Sequence, residues 1–81
     1  MNEAQLRSYM KTRFRGYRDD LSADADLSGV VDSLGLFELV EFVESASEIR
    51  IPMADFQPVK FSSIRNILAL VDELRARSIA R

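Results

Sequence analysis

An all-α fold follows from three observations on this 81-residue chain. Apolar residues recur at helical spacing in three separate segments, and no stretch alternates as a strand does. Both prolines, Pro52 and Pro58, fall between the second and third of those segments. The expected architecture is three main helices, one short helix and a long first loop. A chain of this size buries only ~60–65% of the surface its unfolded form exposes, so a single domain over residues 1–81 with little stability to spare is expected.

The first helix is expected from Asn2 to Phe14. Asn2 is a favoured N-cap and Glu3 lies in the first turn, where the helix dipole favours negative charge. Leu6, Met10 and Phe14 recur every four residues, with Tyr9 and Tyr17 beside them, and the other side is basic. Gly16 is expected to mark the end. Residues 18–32 show no sustained period and are rich in aspartate and serine. Structureless connections of this length are uncommon in compact domains, so Leu21, Leu27, Val30 and Val31 are expected to pin it against the helices.

The strongest helical pattern runs from Ser33 to about Ser47. Leu36, Leu39, Val40, Val43 and Ala46 make one apolar face, flanked by Phe37 and Phe42. Glu38, Glu41, Glu44 and Glu48 form an acidic stripe with no lysine at (i, i+4). Like charges at that spacing cost a few tenths of a kcal/mol per pair, which suggests a stripe kept for an external partner. Pro52 closes Ile49-Arg50-Ile51 and permits a fresh helical turn over 53–56, which Pro58 ends. The last helix is expected to start with Ser62 or Ser63 as N-cap and to run to about Ser78. Its face is Ile64, Ile67, Leu68, Val71 and Leu74, and Arg75, Arg77 and Arg81 complement the dipole at its C-terminal end. Met53, Phe56 and Phe61 are expected to line the cleft between the second and last helices as packing residues.

Composition excludes several function classes. Cysteine and histidine are both absent. That removes disulfides, thiolate or imidazole metal ligands, and any Ser-His or Cys-His nucleophile. The chain is therefore not expected to be an enzyme or to hold a metal. No apolar run approaches the ~18–20 residues of a membrane span and no secretory apolar core precedes the first helix, so a cytoplasmic protein without membrane contact is expected. Net charge is −2, yet residues 19–48 carry nine acidic side chains and no basic one. Such a block would steer basic partners and repel the phosphates of nucleic acid.

Asp32-Ser33-Leu34 stands at the junction of the long loop with the acidic helix. Aspartate and serine before a helix are favoured caps, and capping alone accounts for their presence. Their surroundings add a second reading. Asp32-Ser33-Leu34-Gly35 is followed by Leu36-Phe37-Glu38-Leu39-Val40, then Ile51-Pro52, then Phe61-Ser62-Ser63-Ile64. In this combination the chain resembles the acyl and peptidyl carrier proteins, a phosphopantetheine-binding family, over residues 6–74.

The resemblance implies a four-helix bundle of carrier-protein type, with Ser33 at the head of the second helix attaching a 4′-phosphopantetheine arm. It implies an acyl or aminoacyl cargo held on that arm as a thioester. Implied partners are a phosphopantetheinyl transferase, an acyl- or aminoacyl-activating ligase, and a downstream transferase or synthase, with the carrier acting as a monomer. Asp32 is implied as a recognition residue, and Leu34 and Phe37 as docking residues, with a core position as the alternative for both and an equal one for Phe37. Glu38, Glu41 and Glu44 complete the expected partner surface. The residues agree with this independently of the family. With no histidine to activate it, Ser33 makes sense as an acceptor for another enzyme's chemistry, and a helix N-terminus suits a phosphodiester.

Three features depart from the fatty-acid-type pattern: Gly35 where a polar residue is common, Val30-Val31 ahead of the motif, and a basic first helix. Glycine at a helical position costs about 1 kcal/mol relative to alanine. These departures point to a free-standing carrier of specialised biosynthesis. The alternative is an unmodified helical interaction module in which Ser33 is only a cap and the acidic second helix binds a basic partner.

Overall fold

Helix α1 (Glu3–Arg13) begins where Asn2 and Gln5 satisfy each other. Asn2 Oδ1 accepts from the Gln5 N–H at 2.8 Å, and Gln5 Oε1 accepts from the Asn2 N–H at 2.9 Å. This reciprocal cap closes two of the donors that every helix start leaves open. The computed structural model describes residues 1–79. Helix α1 stops at Phe14, whose extended backbone ends the helical run, and not at Gly16 as expected. No glycine has a positive φ, so Gly16 is no left-handed cap. A Cβ on Gly16 would lie 3.2 Å from the Gly29 carbonyl oxygen and 3.3 Å from Val30 Cα, so this glycine admits the loop against the end of α1.

The loop is stitched down as its apolar residues suggested. Leu27 is buried, and Leu21, Val30 and Val31 pack half-buried against the core. A 3-10 turn at Leu27–Gly29 is capped by Asp26, which accepts from the Ser28 N–H. The Leu27 N–H donates to the Ser62 carbonyl at 2.8 Å, and the Arg65 N–H donates to the Ala23 carbonyl at 2.9 Å. These bonds tie the loop to the start of the last helix.

Helix α2 (Ser33–Ser47) has the expected bounds. Its apolar face buries Leu39, Val40 and Val43, with Leu36, Phe42 and Ala46 at the margin. Glu48 ends it in the left-handed region at φ 53°, a conformation that costs a non-glycine residue roughly 1–2 kcal/mol. Arg75 compensates across the bundle by donating to the Ser47 carbonyl at 3.2 Å. Helix α3 (Ile64–Ile79) is capped by Ser63, whose Oγ accepts from the Asn66 N–H at 3.1 Å. Its buried face is Ile64, Ile67, Leu70, Val71 and Leu74, with Leu68 half-buried. Arg81, expected at the helix end, lies outside the described residues.

The short fourth helix is instead two 3-10 turns, Met53–Asp55 and Pro58–Phe61. Pro58 opens the second turn where it was expected only to end the first, because its missing N–H costs nothing at a first helical position. A buried carboxylate organises this segment. Asp55 accepts from Lys60 Nζ at 2.6 Å and from Arg77 Nη1 at 2.9 Å, and Arg77 also pairs with Glu73. The Arg77 guanidinium, followed by the Lys60 ammonium, holds the Asp55 carboxyl below its ordinary range. The architecture is all-helical, with no strand among the described residues. No described helix is long and apolar enough to cross a membrane.

Candidate functional site

Ser33 is the first residue of α2, and its side chain is exposed. Asp32 is the N-cap: its Oδ1 accepts from the Gly35 N–H at 2.6 Å, and its carbonyl accepts from the Leu36 N–H at 2.9 Å. The N–H groups of Ser33 and Leu34 have no partner among the described residues. They face the end where the helix dipole is positive, an arrangement suited to an anionic group. Local sequence explains all of this, since an aspartate before an apolar-periodic segment both stops the loop and starts the helix.

Beside Ser33 opens a cleft of about 490 Å³. One side comes from the loop and α2, through Leu27, Val31, Asp32 and Leu36; the other comes from Pro58, Val59, Phe61 and Ser62. Asp26 and Ser28 add polar edges. The Leu27–Ser62 backbone bond sets the two walls together. Phe61 lines this cleft, whose far wall is the second 3-10 turn and not the last helix as expected. Phe56 is half-buried between Phe37 and Phe61, at ring-centroid distances of 5.9 and 5.8 Å. Met53 corrects the expectation: it is 89% exposed and does not line this cleft. Val59, absent from the sequence reading, is 62% exposed on the rim of the cleft. The only signal that could have singled it out is its place between Pro58 and the Phe61-Ser62-Ser63-Ile64 motif.

The open alternatives for Leu34 and Phe37 resolve toward the surface, at 70% and 62% exposure. With Met53 and Val59 they are the large apolar side chains most open to solvent among the described residues. The acidic stripe is less free than its sequence suggested. Glu38 pairs with Arg13 of α1 at 3.7 Å. Glu44 Oε2 accepts from the Ile51 N–H at 2.8 Å, holding the chain that leaves α2. The stripe has no ion pair within α2 among the described residues, as its spacing implied, but two of its members find partners on other elements; Glu41 alone of Glu38, Glu41 and Glu44 has no polar partner among the described residues. Elsewhere in the acidic block, Asp19 pairs with Lys11, Asp20 with Arg18 and Asp24 with Arg65. These pairs are exposed and worth ~0–1 kcal/mol each. Sequence spacing missed most of them because their partners lie on other elements.

Fold and site together define a class: a small helical bundle that offers one serine at a loop-to-helix junction, between an apolar cleft and an acidic helix. No family model matches the chain. Individual relatives do. It is 33% identical over 79 residues to the probable acyl carrier protein PigG of Serratia sp. (strain ATCC 39006), covering 94% of this chain and 91% of that one. It is 35% identical over 65 residues to the D-alanyl carrier proteins of Streptococcus pyogenes serotype M5 (strain Manfredo) and Streptococcus uberis (strain ATCC BAA-854 / 0140J), covering 75% of this chain and 82% of each of those. The chain belongs to the acyl and peptidyl carrier protein family, and its function is that of a carrier.

Proposed function

We propose that the chain carries an acyl or aminoacyl group as a thioester on a 4′-phosphopantetheine arm attached to Ser33, within a specialised biosynthetic pathway. The observation that carries this reading is the exposed Ser33 hydroxyl at the start of α2, beside the cleft, in a chain that contains no histidine. A hydroxyl without a base is not a nucleophile on its own at neutral pH. The base that takes the Ser33 proton therefore comes with the modifying enzyme, and the chain acts as substrate and not as catalyst.

The residues fit the group. Ser33 supplies the oxygen of the phosphodiester, and the unpartnered Ser33 and Leu34 N–H groups favour its negative charge. The cleft offers an apolar wall of Leu27, Val31, Leu36 and Phe61 with polar edges at Asp26, Ser28 and Ser62. When bound, the arm supplies the terminal thiol that this cysteine-free chain lacks. Asp32 is assigned to recognition by the transferase, Leu34 and Phe37 to apolar docking, and Glu41, with Glu38 and Glu44, to electrostatic guidance of basic partners. Partners of this reading are a phosphopantetheinyl transferase, an activating ligase and a downstream transferase or synthase. The chain works as a cytoplasmic, single-domain monomer without nucleic acid or membrane.

Intact-mass spectrometry after incubation with a broad-specificity phosphopantetheinyl transferase and coenzyme A tests this. The expected result is a gain of one arm, abolished in Ser33→Ala. No gain, under conditions that modify a control carrier, would leave an interaction module built on α2.

A further inference from the structure

Gly35 sits two residues beyond Ser33 at a position where a side chain has no room. A Cβ there would lie 2.8 Å from Phe14 Cε1 and 3.0 Å from Asp32 Oδ1. Real Cβ contacts essentially never fall below 3.0 Å, so either the ring or the first turn of α2 would have to shift. The ring is poorly placed to retreat. Phe14 is buried at the end of α1, and its N–H donates to the Met10 carbonyl at 2.8 Å. Tyr9 meets it edge-on with centroids 6.1 Å apart, and Tyr9 in turn stacks on Phe42 of α2 at 4.0 Å. Tyr9 and Phe42 thus form an aromatic cluster beside the ring, between α1 and α2. What is left to move is the first turn of α2, which carries the Asp32 cap and Ser33.

We infer that Gly35 is a positioning residue for Ser33: its missing side chain lets the Phe14 ring seat directly beneath the Asp32–Ser33 turn and fixes where the hydroxyl is presented. The inference rests on the carrier reading of Ser33. It also explains why glycine occupies a helical position that favours almost any other residue. Phe14, 21 positions away in sequence, takes the space.

The test compares the full-length parent, Gly35→Ala and Phe14→Leu/Gly35→Ala by initial rate of arm transfer, thermal unfolding, and backbone amide resonances. Alanine favours helix over glycine, so Gly35→Ala is expected to remain helical. Its kcat/KM for arm transfer is expected to fall on the order of ten- to a hundredfold, the scale of a displacement near 1 Å at a reacting group. The Ser33 and Leu34 amide resonances are expected to move with it. Leucine lacks the Cε1 atom, so the double variant is expected to regain most of the rate and the parent resonances while melting lower, having lost a core ring. Rate and stability then change in opposite directions, which a purely structural role does not produce. Parent-like rate in a folded Gly35→Ala overturns the inference, as does a double variant that folds yet stays slow. If Gly35→Ala does not fold, the double variant alone decides: a near-parent rate supports the inference, and a slow rate or failure to fold overturns it. A parent that takes no arm overturns the carrier reading, while the amide resonances still report whether Gly35 sets the turn.

Discussion

Replacing Asp32 separates its capping role from its charge. Asp32→Ala removes the acceptor of the Gly35 N–H, a bond of 2.6 Å at the start of α2. Loss of an N-cap of this kind costs about 0.5–2 kcal/mol. A domain of this size commonly holds ~4 kcal/mol, so at the worst ~2 kcal/mol remains and about 97% of the molecules stay folded. Unfolding therefore accounts for a rate loss of only a few per cent. Asparagine caps as well as aspartate, so Asp32→Asn keeps the bond to Gly35 and removes only the charge. If the carboxylate makes one charge-assisted contact to the transferase, worth about 1.5–3 kcal/mol, both variants should be modified roughly ten- to a hundredfold more slowly. The assay is the initial rate of arm transfer by intact mass, with thermal unfolding by circular dichroism in parallel. Asp32→Asn modified at the parent rate, with Asp32→Ala slowed only in step with its folded fraction, would reduce Asp32 to a cap.

Two further predictions concern acidic residues that look alike in sequence. Glu44→Ala leaves the half-buried Ile51 N–H without its acceptor and should cost about 1–3 kcal/mol in urea unfolding, whereas Glu41→Ala should stay within about 0.5 kcal/mol of the parent. Glu41→Lys should instead slow arm transfer and flatten its salt dependence; an unchanged salt response would make Glu41 a solvated surface charge. Asp55→Asn should lower the thermal midpoint at neutral pH by weakening the ties to Arg77 and Lys60. Because Asp55 is held below its ordinary range, its stabilisation is fully present above about pH 4 and fades as the pH falls through the lowered folded value. The gap between parent and variant should accordingly close only in strong acid, and a gap that closed nearer neutrality would assign the stabilisation to another group.

Local rules were enough for much of this protein. The bounds of α2, the Asn2 and Asp32 caps, a serine cap at 62 or 63, and the faces built on Leu6, Leu39, Val43 and Ile67 follow from capping chemistry and a 3.6-residue period, both of which act within a few residues. That Ser33 starts α2 was legible for the same reason, whereas its reading as the attachment residue came from the resemblance to carrier proteins. Contacts between distant residues were not legible. Gly35 reads as a weak helix former until the Phe14 ring is seen to need its space, and Gly16 reads as a helix stop until Gly29 and Val30 close on it. Glu44 joins a uniform acidic stripe until the chain doubles back and presents the Ile51 N–H. Phe37 and Met53 have the chemistry of core residues, and only the tertiary packing leaves them outside. Hydrophobicity identifies what is able to be buried, but a small bundle has too little interior to bury all of it, and the helix faces that meet decide which residues remain at the surface.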